Sequence, residues 1–581
     1  MINNRLAHPR SPSLAVQSYL QYRRIGQSVR KQFSEHPEWA GRNIARNDVT
    51  ADNGENSDPD PEKRSALRPF SLPPGVSRRE IAGTNGSTET LFIVGWQHDN
   101  DPANPHNYSM TSRVTATLIV SVLAFAVGAA SSIESAVLPQ NSAAFGVSEV
   151  VASLATGIYL LGFAAGSLVS GPLSEILGRN AVYIGSLTLF MIFIMASGLA
   201  PNIGAQLAFR FLAGVFGCPP LTCAGGTIAD LWNPLEKTIY FPLYAILSFG
   251  GPVFGPVISS YMGQGTLSWR WTNWIMLIMS GLTMALVLLF QPETYGPILL
   301  KWKAAHLRKV TGDRRYRSEM DMQKLALFSR ITQACVRQFT LTVHEPIILF
   351  ISLYMTVIYI VLFTFFDGYP YIFQEVYEIS QGLTNIIWVA MYVGIALASL
   401  WVPVVYIWTK KEFAAASSYP ATSSAEADQN EGSSSDDESP KKAHPTRPEN
   451  RLWFAMLGAP FIPIALFWMG WTDYQSISIW SPIVASAVFG FGTINVFISS
   501  YMYVIDSYDA YAASALGFMT VSRYCAAGGM TVVGIPFYSN MGVHYTLTIL
   551  GCISVVMTPL PYVFWKYGHI IRGWSKFAVN A

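Results

Sequence analysis

The stretch Gly171-Pro-Leu-Ser-Glu-Ile-Leu-Gly-Arg-Asn180 closes one long apolar run and opens directly onto another. Pro172, Glu175 and Arg179 sit between two runs that are each long enough to cross a bilayer, so the connection reads as a tight polar turn at a membrane face. Gly171 is small enough to let two helices touch, and Gly178 permits a sharp reversal. Glu175 and Arg179 carry charges that can pair with helix ends or with each other's counterparts.

The same kind of run recurs on both sides of this turn. Apolar stretches lie at about 114–137, 150–170, 181–199, 205–228, 239–262 and 274–290, then after a polar interval at about 346–366, 386–408, 452–471, 479–504, 512–537 and 545–565. At 1.5 Å rise per residue each can cross a hydrocarbon layer of about 30 Å. The pattern predicts an all-α membrane protein of twelve transmembrane helices in two six-helix pseudo-repeats, the layout of a duplicated transporter. Composition agrees, because only 13% of the 581 residues are charged and 51% are hydrophobic, against about 25% charged in a soluble domain. The five cysteines read as small packing residues, neither a disulfide set nor a metal set.

The expected organisation is a disordered cytoplasmic tail over 1–112, a six-helix bundle over 113–291, a cytoplasmic loop over 292–345, and a second bundle over 346–581. The last carries a disordered insertion at about 410–451. Its Ser433-Ser-Ser-Asp-Asp-Glu-Ser439 core is a candidate phosphorylation site on a solvated segment. Lys301, Lys303, Arg308, Lys309, Arg314, Arg315 and Arg317 crowd the central loop. This excess of positive charge places the loop and both termini in the cytosol.

The opening turn resembles the motif G-x-L-[ST/A]-[D/E]-x-x-G-R-[R/K] between the second and third helices of the major facilitator superfamily, with Asn180 where a base is usual. Asp101-Pro-Ala-Asn-Pro-His-Asn-Tyr-Ser109, Pro292-Glu-Thr-Tyr-Gly-Pro297, Pro448-Glu-Asn-Arg-Leu452 and the stretch from Asp506 to Ala515 are similar to segments of its fungal twelve-helix drug:proton antiporter family. The resemblance runs from about Asp101 to Ser575. It implies that Arg179 pairs with Asp230, at the end of the fourth helix, and that Glu175 faces the start of the eleventh, together locking the inner gate.

Ionisable residues inside apolar runs cost about 2.5–3.5 kcal/mol each at mid-depth, so each needs a reason. Glu134, late in the first run, and Arg210, early in the fourth, fall at similar outer depth and are the expected proton-coupling pair. Leu207-Ala-Phe-Arg-Phe-Leu-Ala-Gly-Val-Phe-Gly217 also resembles a fourth-helix motif of the superfamily whose Arg is implicated in proton transfer. In the fifth run, Gly251 with Gly255 and Pro252 with Pro256 stand at i,i+4, giving close helix contact and free carbonyls. They resemble an antiporter motif of the superfamily. Arg523, in the eleventh run, is expected to face the cavity. Tyr159, Trp388, Tyr392, Phe489 and Phe491 are candidates for an aromatic lining.

All nine histidines fall outside the expected spans, so no intramembrane His cluster supports a membrane enzyme. No phosphate-binding G-x-x-x-x-G-K-[ST] loop supports ATP-driven pumping. The reading is a monomeric, non-enzymatic plasma-membrane antiporter that uses the proton gradient and no cofactor or metal. It would export amphipathic organic compounds such as fungicides, toxins or secondary metabolites, and bind no nucleic acid. A polyamine or organic-cation exporter, a proton-coupled nutrient importer and a transporter-like sensor are the alternatives.

Overall fold

The computed structural model describes residues 17–36, 39, 72–82, 88–264, 267–322, 327–418, 447–508, 512–575 and 577–578. The chain divides into two compact units, one made of residues 1–116, 177–180 and 285–326, the other of 117–176, 181–284 and 327–581. Most of both sets of apolar helices falls in the second unit, while 110–116 and 285–290, ends of the first and sixth, fall in the first unit.

Among the described residues of the whole chain, eleven helical segments are long and apolar enough to cross a bilayer. The first ten are Met110–Phe145, Glu149–Leu177, Arg179–Gly198, Ile203–Leu231, Pro234–Ile258, Trp271–Phe290, Pro346–Glu375, Gln381–Ala414, Pro448–Trp471 and Trp480–Tyr508. The last, Ser514–Gly573, runs for 60 residues, or about 90 Å if it were one straight helix. It is broken at Gly542, whose φ of 75° and ψ of 168° no helix contains. The hydroxyl of Thr546 donates back to the Phe537 carbonyl at 3.2 Å across that break. The break divides the segment into two helical stretches, consistent with the expected eleventh and twelfth spans. Outward faces remain apolar, with Leu282 of the sixth span 65% exposed, as a lipid solvent requires.

Helix starts follow local rules. Asn202 caps the fourth span by accepting from the Ala205 amide at 2.8 Å. Pro234 opens the fifth, where the Glu236 carboxylate accepts from the Asn233 amide at 3.2 Å, a capping arrangement for otherwise orphaned donors. The fifth span carries Pro252 and Pro256 inside its helix. Pro256 has no N–H for the carbonyl of Pro252, and the Ser132 hydroxyl of the first span donates to that carbonyl instead, at 2.7 Å. Gly251 and Gly255 lie against backbone atoms of Phe125 and Ala129, leaving no room for a side chain.

The smaller unit corrects the expectation of a structureless tail over 1–112. Gln17–Glu35 is a helix, and Val76–Ala82 (β1) pairs antiparallel with Thr88–Val94 (β2), which pairs parallel with Tyr316–Arg317 (β3). Val29 and Phe33 of the helix, Phe92 and Val94 of β2, Ala304 and Leu307 of the helix Gly296–Thr311, and Tyr316 share one apolar core. After Tyr19, Leu20 and Tyr22 in its first turns, the helix shows only one apolar residue per turn, Ile25, Val29 and Phe33, among Arg, Gln and Ser. Its partners lie elsewhere in the chain, Phe92 and Val94 in β2 and Ala304, Leu307 and Tyr316 far downstream, so nothing local betrays it. Asp101, in the Pro/Asn turn, is buried beside Lys303 at 3.7 Å. The insertion expected from 410 begins as helix through Ser418. Its acidic serine core, 433–439, lies outside the described residues.

Candidate functional site

Glu134 stands in the turn just beyond the helix Met110–Ser132, not within it, and Arg210 in the helix Ile203–Gly217. Both are buried, at 2% and 0% exposure, so neither reaches an outer interface. Arg210 Nε lies 3.6 Å from Glu134 Oε2. The ion pair is loose because each partner is also held elsewhere. The carboxylate accepts from the amide of Gln206 at 3.2 Å and from that of Asn273 at 3.3 Å. The guanidinium donates to the carbonyls of Ala130 at 2.8 Å and Ala155 at 3.3 Å, and its carbon lies 4.7 Å from the centre of the Tyr159 ring. Tyr159 is fixed in turn by its hydroxyl, which donates to the Val127 carbonyl at 2.9 Å. Backbone carbonyls therefore hold the guanidinium as well as Glu134 does. Two polar atoms at this site are unpartnered, Arg210 Nη1 and Gln206 Oε1.

Arg523 lies on a second polar site in the same unit, among the residues lining a small cavity with Tyr244, Tyr359, Phe497, Tyr501 and Tyr524. The cavity has room for about one water molecule, roughly 20 Å³. Pro252 of the fifth span also lines it. Tyr159, Trp388, Tyr392, Phe489 and Phe491 do not. Trp388 stacks between Phe366 and Tyr369 with centroids 4.4 Å from each, Tyr392 packs on Phe254, Phe489 on Phe365 and Phe491 on Phe461. These four close helix contacts. Periodicity marks an aromatic as inward-facing but cannot say whether inward means a neighbouring helix or the central space.

The two halves of this larger unit meet at both ends of the spans. At the end where the fifth span begins, Asp506 is shared by Lys237 at 3.2 Å and Arg451 at 2.7 Å, and Arg451 also donates to the Pro234 carbonyl at 2.7 Å. At the other end, Gln381 donates to the Ala136 carbonyl at 2.7 Å and accepts from Gln140 at 3.0 Å. Arg451 and Asp506 stand in stretches already singled out by resemblance, but nothing in the sequence joined them. Neighbouring Glu449 holds Arg572 in two bonds of 2.9 and 3.1 Å.

The opening turn is built around an acid that sequence reasoning left without a role. Glu293 Oε1 accepts from the backbone amides of Arg179, Thr294 and Tyr295, each at 3.0 Å, and Oε2 from that of Asn180 at 3.2 Å. Burial pushes this carboxyl up, and the amides of Tyr295, Arg179 and Asn180 with the Arg179 charge oppose the shift. Gly178 adopts φ 97°, and a side chain there would strike the Glu293 carboxylate. The Arg179 guanidinium lies 4.9 Å from the Tyr295 ring centre. Asn180 donates to the Gln291 carbonyl at 3.0 Å and bonds Ser18. Gln21, also on the N-terminal helix, exchanges hydrogen bonds with the Glu293 backbone at 2.9 and 3.2 Å. Asn180 therefore links the turn both to the Gln291 backbone and to the N-terminal helix. A side chain at Gly171 would meet open space. Glu175 and Asp230 are half-buried at the ends of their helices. Residues 509–511, just before the start of the eleventh span that Glu175 was expected to face, lie outside the described residues.

A model of the Major Facilitator Superfamily matches residues 120–532. The MFS-type transporter kojT of Aspergillus flavus, and that of Aspergillus oryzae, are 44% identical over 97% of this chain and 100% of their own length. The citrinin biosynthesis cluster MFS transporter mrr1 of Monascus ruber is 32% identical over 86% of this chain and 95% of its own. Among solved structures, the proton:xylose symporter XylE bound to 6-bromo-6-deoxy-D-glucose shares the fold, with a TM-score of 0.55 and 14% identity over 79% of this chain and 96% of that one. The chain therefore belongs to the Major Facilitator Superfamily, as an all-α integral membrane transporter.

Proposed function

We propose that this transporter is a proton-coupled antiporter that exports a small amphipathic organic compound, of the kind made as a secondary metabolite, across the plasma membrane with both termini cytosolic. The observation that carries the reading is the buried carboxylate of Glu134, held by two amides beside an independently anchored Arg210. When Glu134 is ionised, the Gln206 and Asn273 N–H groups and the guanidinium satisfy it. When it is protonated, its new O–H needs an acceptor, and a flip of the Gln206 amide presents the unpartnered Oε1. Both protonation states then find partners without moving a helix, which is what a carrier of protons through a low-dielectric site requires. The relatives found in biosynthetic clusters for citrinin and ascochitine support the class of cargo. The fifth-span proline pair supports exchange, through a helix that bends where its carbonyls are released. Gate exchange between the two span ends supplies alternating access.

The test is dye and toxin efflux in transporter-deficient yeast, with and without a protonophore, comparing wild type with Glu134→Gln and Arg210→Ala at equal surface expression. Efflux that the protonophore stops and that both variants lose is the expected result. Efflux unchanged by either substitution would move proton handling elsewhere, and accumulation in place of efflux would make the protein an importer.

A further inference from the structure

We infer that the transported compound is a planar organic anion, a carboxylate or similarly acidic group on a conjugated ring, whose negative charge is received by Arg523. The inference rests on the export reading only in taking the central cavity as the cargo site.

Arg523 is 2% exposed, yet its Nε and Nη1 have no hydrogen-bond partner. Among the described residues no carboxylate forms an ion pair with it. Its surroundings are rings: the guanidinium carbon lies 4.6 Å from the centre of Tyr359, 4.9 Å from Tyr524, 5.3 Å from Tyr501 and 5.6 Å from Phe497. Aromatic faces compensate a buried cation in part. They give Nε and Nη1 no hydrogen-bond acceptor, and unpaired charged donors inside a protein call for an explanation. The contrast with Arg210 is direct. That guanidinium has a carboxylate and two carbonyls and leaves only Nη1 without a partner, whereas Arg523 has the Tyr501 hydroxyl but no carboxylate and leaves both Nε and Nη1 without one.

The cavity supplies the rest of the specificity. Arg523 is the one charged residue in its lining, and the tyrosines 244, 359, 501 and 524 add hydroxyls around it. Phe249 meets Phe497 edge-on at 4.6 Å and Tyr359 at 6.1 Å, so ring faces continue away from the charge. A flat anion meets all three features: its charge is met by Nε and Nη1, its remaining lone pairs by hydroxyls, its ring by ring faces. A cation meets a fixed positive charge and no acid in that lining. The space of roughly one water means that the aromatic side chains must separate to admit cargo, with the anion replacing ring faces as the guanidinium's neighbour.

The measurement uses the full chain in lipid nanodiscs and equilibrium binding of three planar acids, benzoate, cinnamate and 2-naphthoate, each against its uncharged amide. 2-Naphthylmethylammonium serves as the cationic control. Each acid should bind about tenfold or more tightly than its amide. Arg523→Gln should abolish that preference while leaving amide affinity within about twofold, and Arg523→Lys should keep part of it. Acids no tighter than amides, no acid binding, or tightest binding of the ammonium would overturn the proposal. Equal loss of acid and amide in a well-folded Arg523→Gln protein would make the residue structural and overturn it too. Should that variant not fold, the acid-against-amide comparison in the wild type decides alone. Failure here leaves proton-driven efflux in yeast untouched, so the two readings fall separately.

Discussion

At the scale of single residues, the sites differ in how their charges are held. Asp473, between the ninth and tenth spans, is 3% exposed and neither carboxylate oxygen has a partner. Burial pushes its carboxyl up to about 7. The folded protein then keeps a proton that the unfolded chain gives up near the ordinary aspartate value, so this group's burden on stability is absent below about pH 4 and grows until pH passes about 7. Asp473→Asn should raise the melting temperature of the detergent-solubilised protein at pH 8, and the gain should shrink as pH falls toward 4. A gain equal at both ends would assign the effect to packing. Glu134 and Arg210 could be picked from the sequence because charge is rare inside apolar runs. Glu293, Arg451 and Asp506 could not, because each sits at a polar margin where a charge is unremarkable and its partner is far along the chain.

At the scale of helices, contact between the first and fifth spans depends on one substitution of donor. Ser132 takes the carbonyl that Pro256 leaves free. Ser132→Ala should leave a buried acceptor unpaired and lower stability by about 1–3 kcal/mol. In Pro256→Ala, which restores the helix's own N–H, the same serine change should cost less, and a double-mutant cycle on thermal unfolding reads the difference. Equal costs in both backgrounds would show that Ser132 does not compensate for the proline. The proline spacing was legible in the sequence, since i,i+4 geometry holds in any helix. The donor was not, because choosing among the serines of another helix needs the packing. The N-terminal helix was lost for a related reason: Ile25, Val29 and Phe33 make too thin a stripe to read until Leu307 and Phe92 are beside it.

At the scale of the whole molecule, the larger unit is tied at one end of its spans by charge and at the other by neutral amides. Loss of Asp506 would remove the acceptor shared by Lys237 and Arg451, leaving Arg451, 3% exposed, without its carboxylate. Asp506→Asn should therefore weaken that end alone, by about 3 kcal/mol, or roughly a hundredfold in the ratio of closed to open forms. Spin-label distances between Lys237 and Arg451 neighbours should broaden, while those across Gln140 and Gln381 stay as in wild type. Equal change at both ends would mean that the charged cluster is no gate. The smaller unit bears on synthesis. Its core joins Phe33 to Leu307, and at 5–20 residues per second the ribosome needs roughly 15–55 s to make the intervening chain. For that interval the N-terminal helix has β2 but not Ala304, Leu307 or Tyr316 while six hydrophobic segments enter the membrane behind it, so its half-covered apolar stripe is a natural client for a chaperone at the exit tunnel.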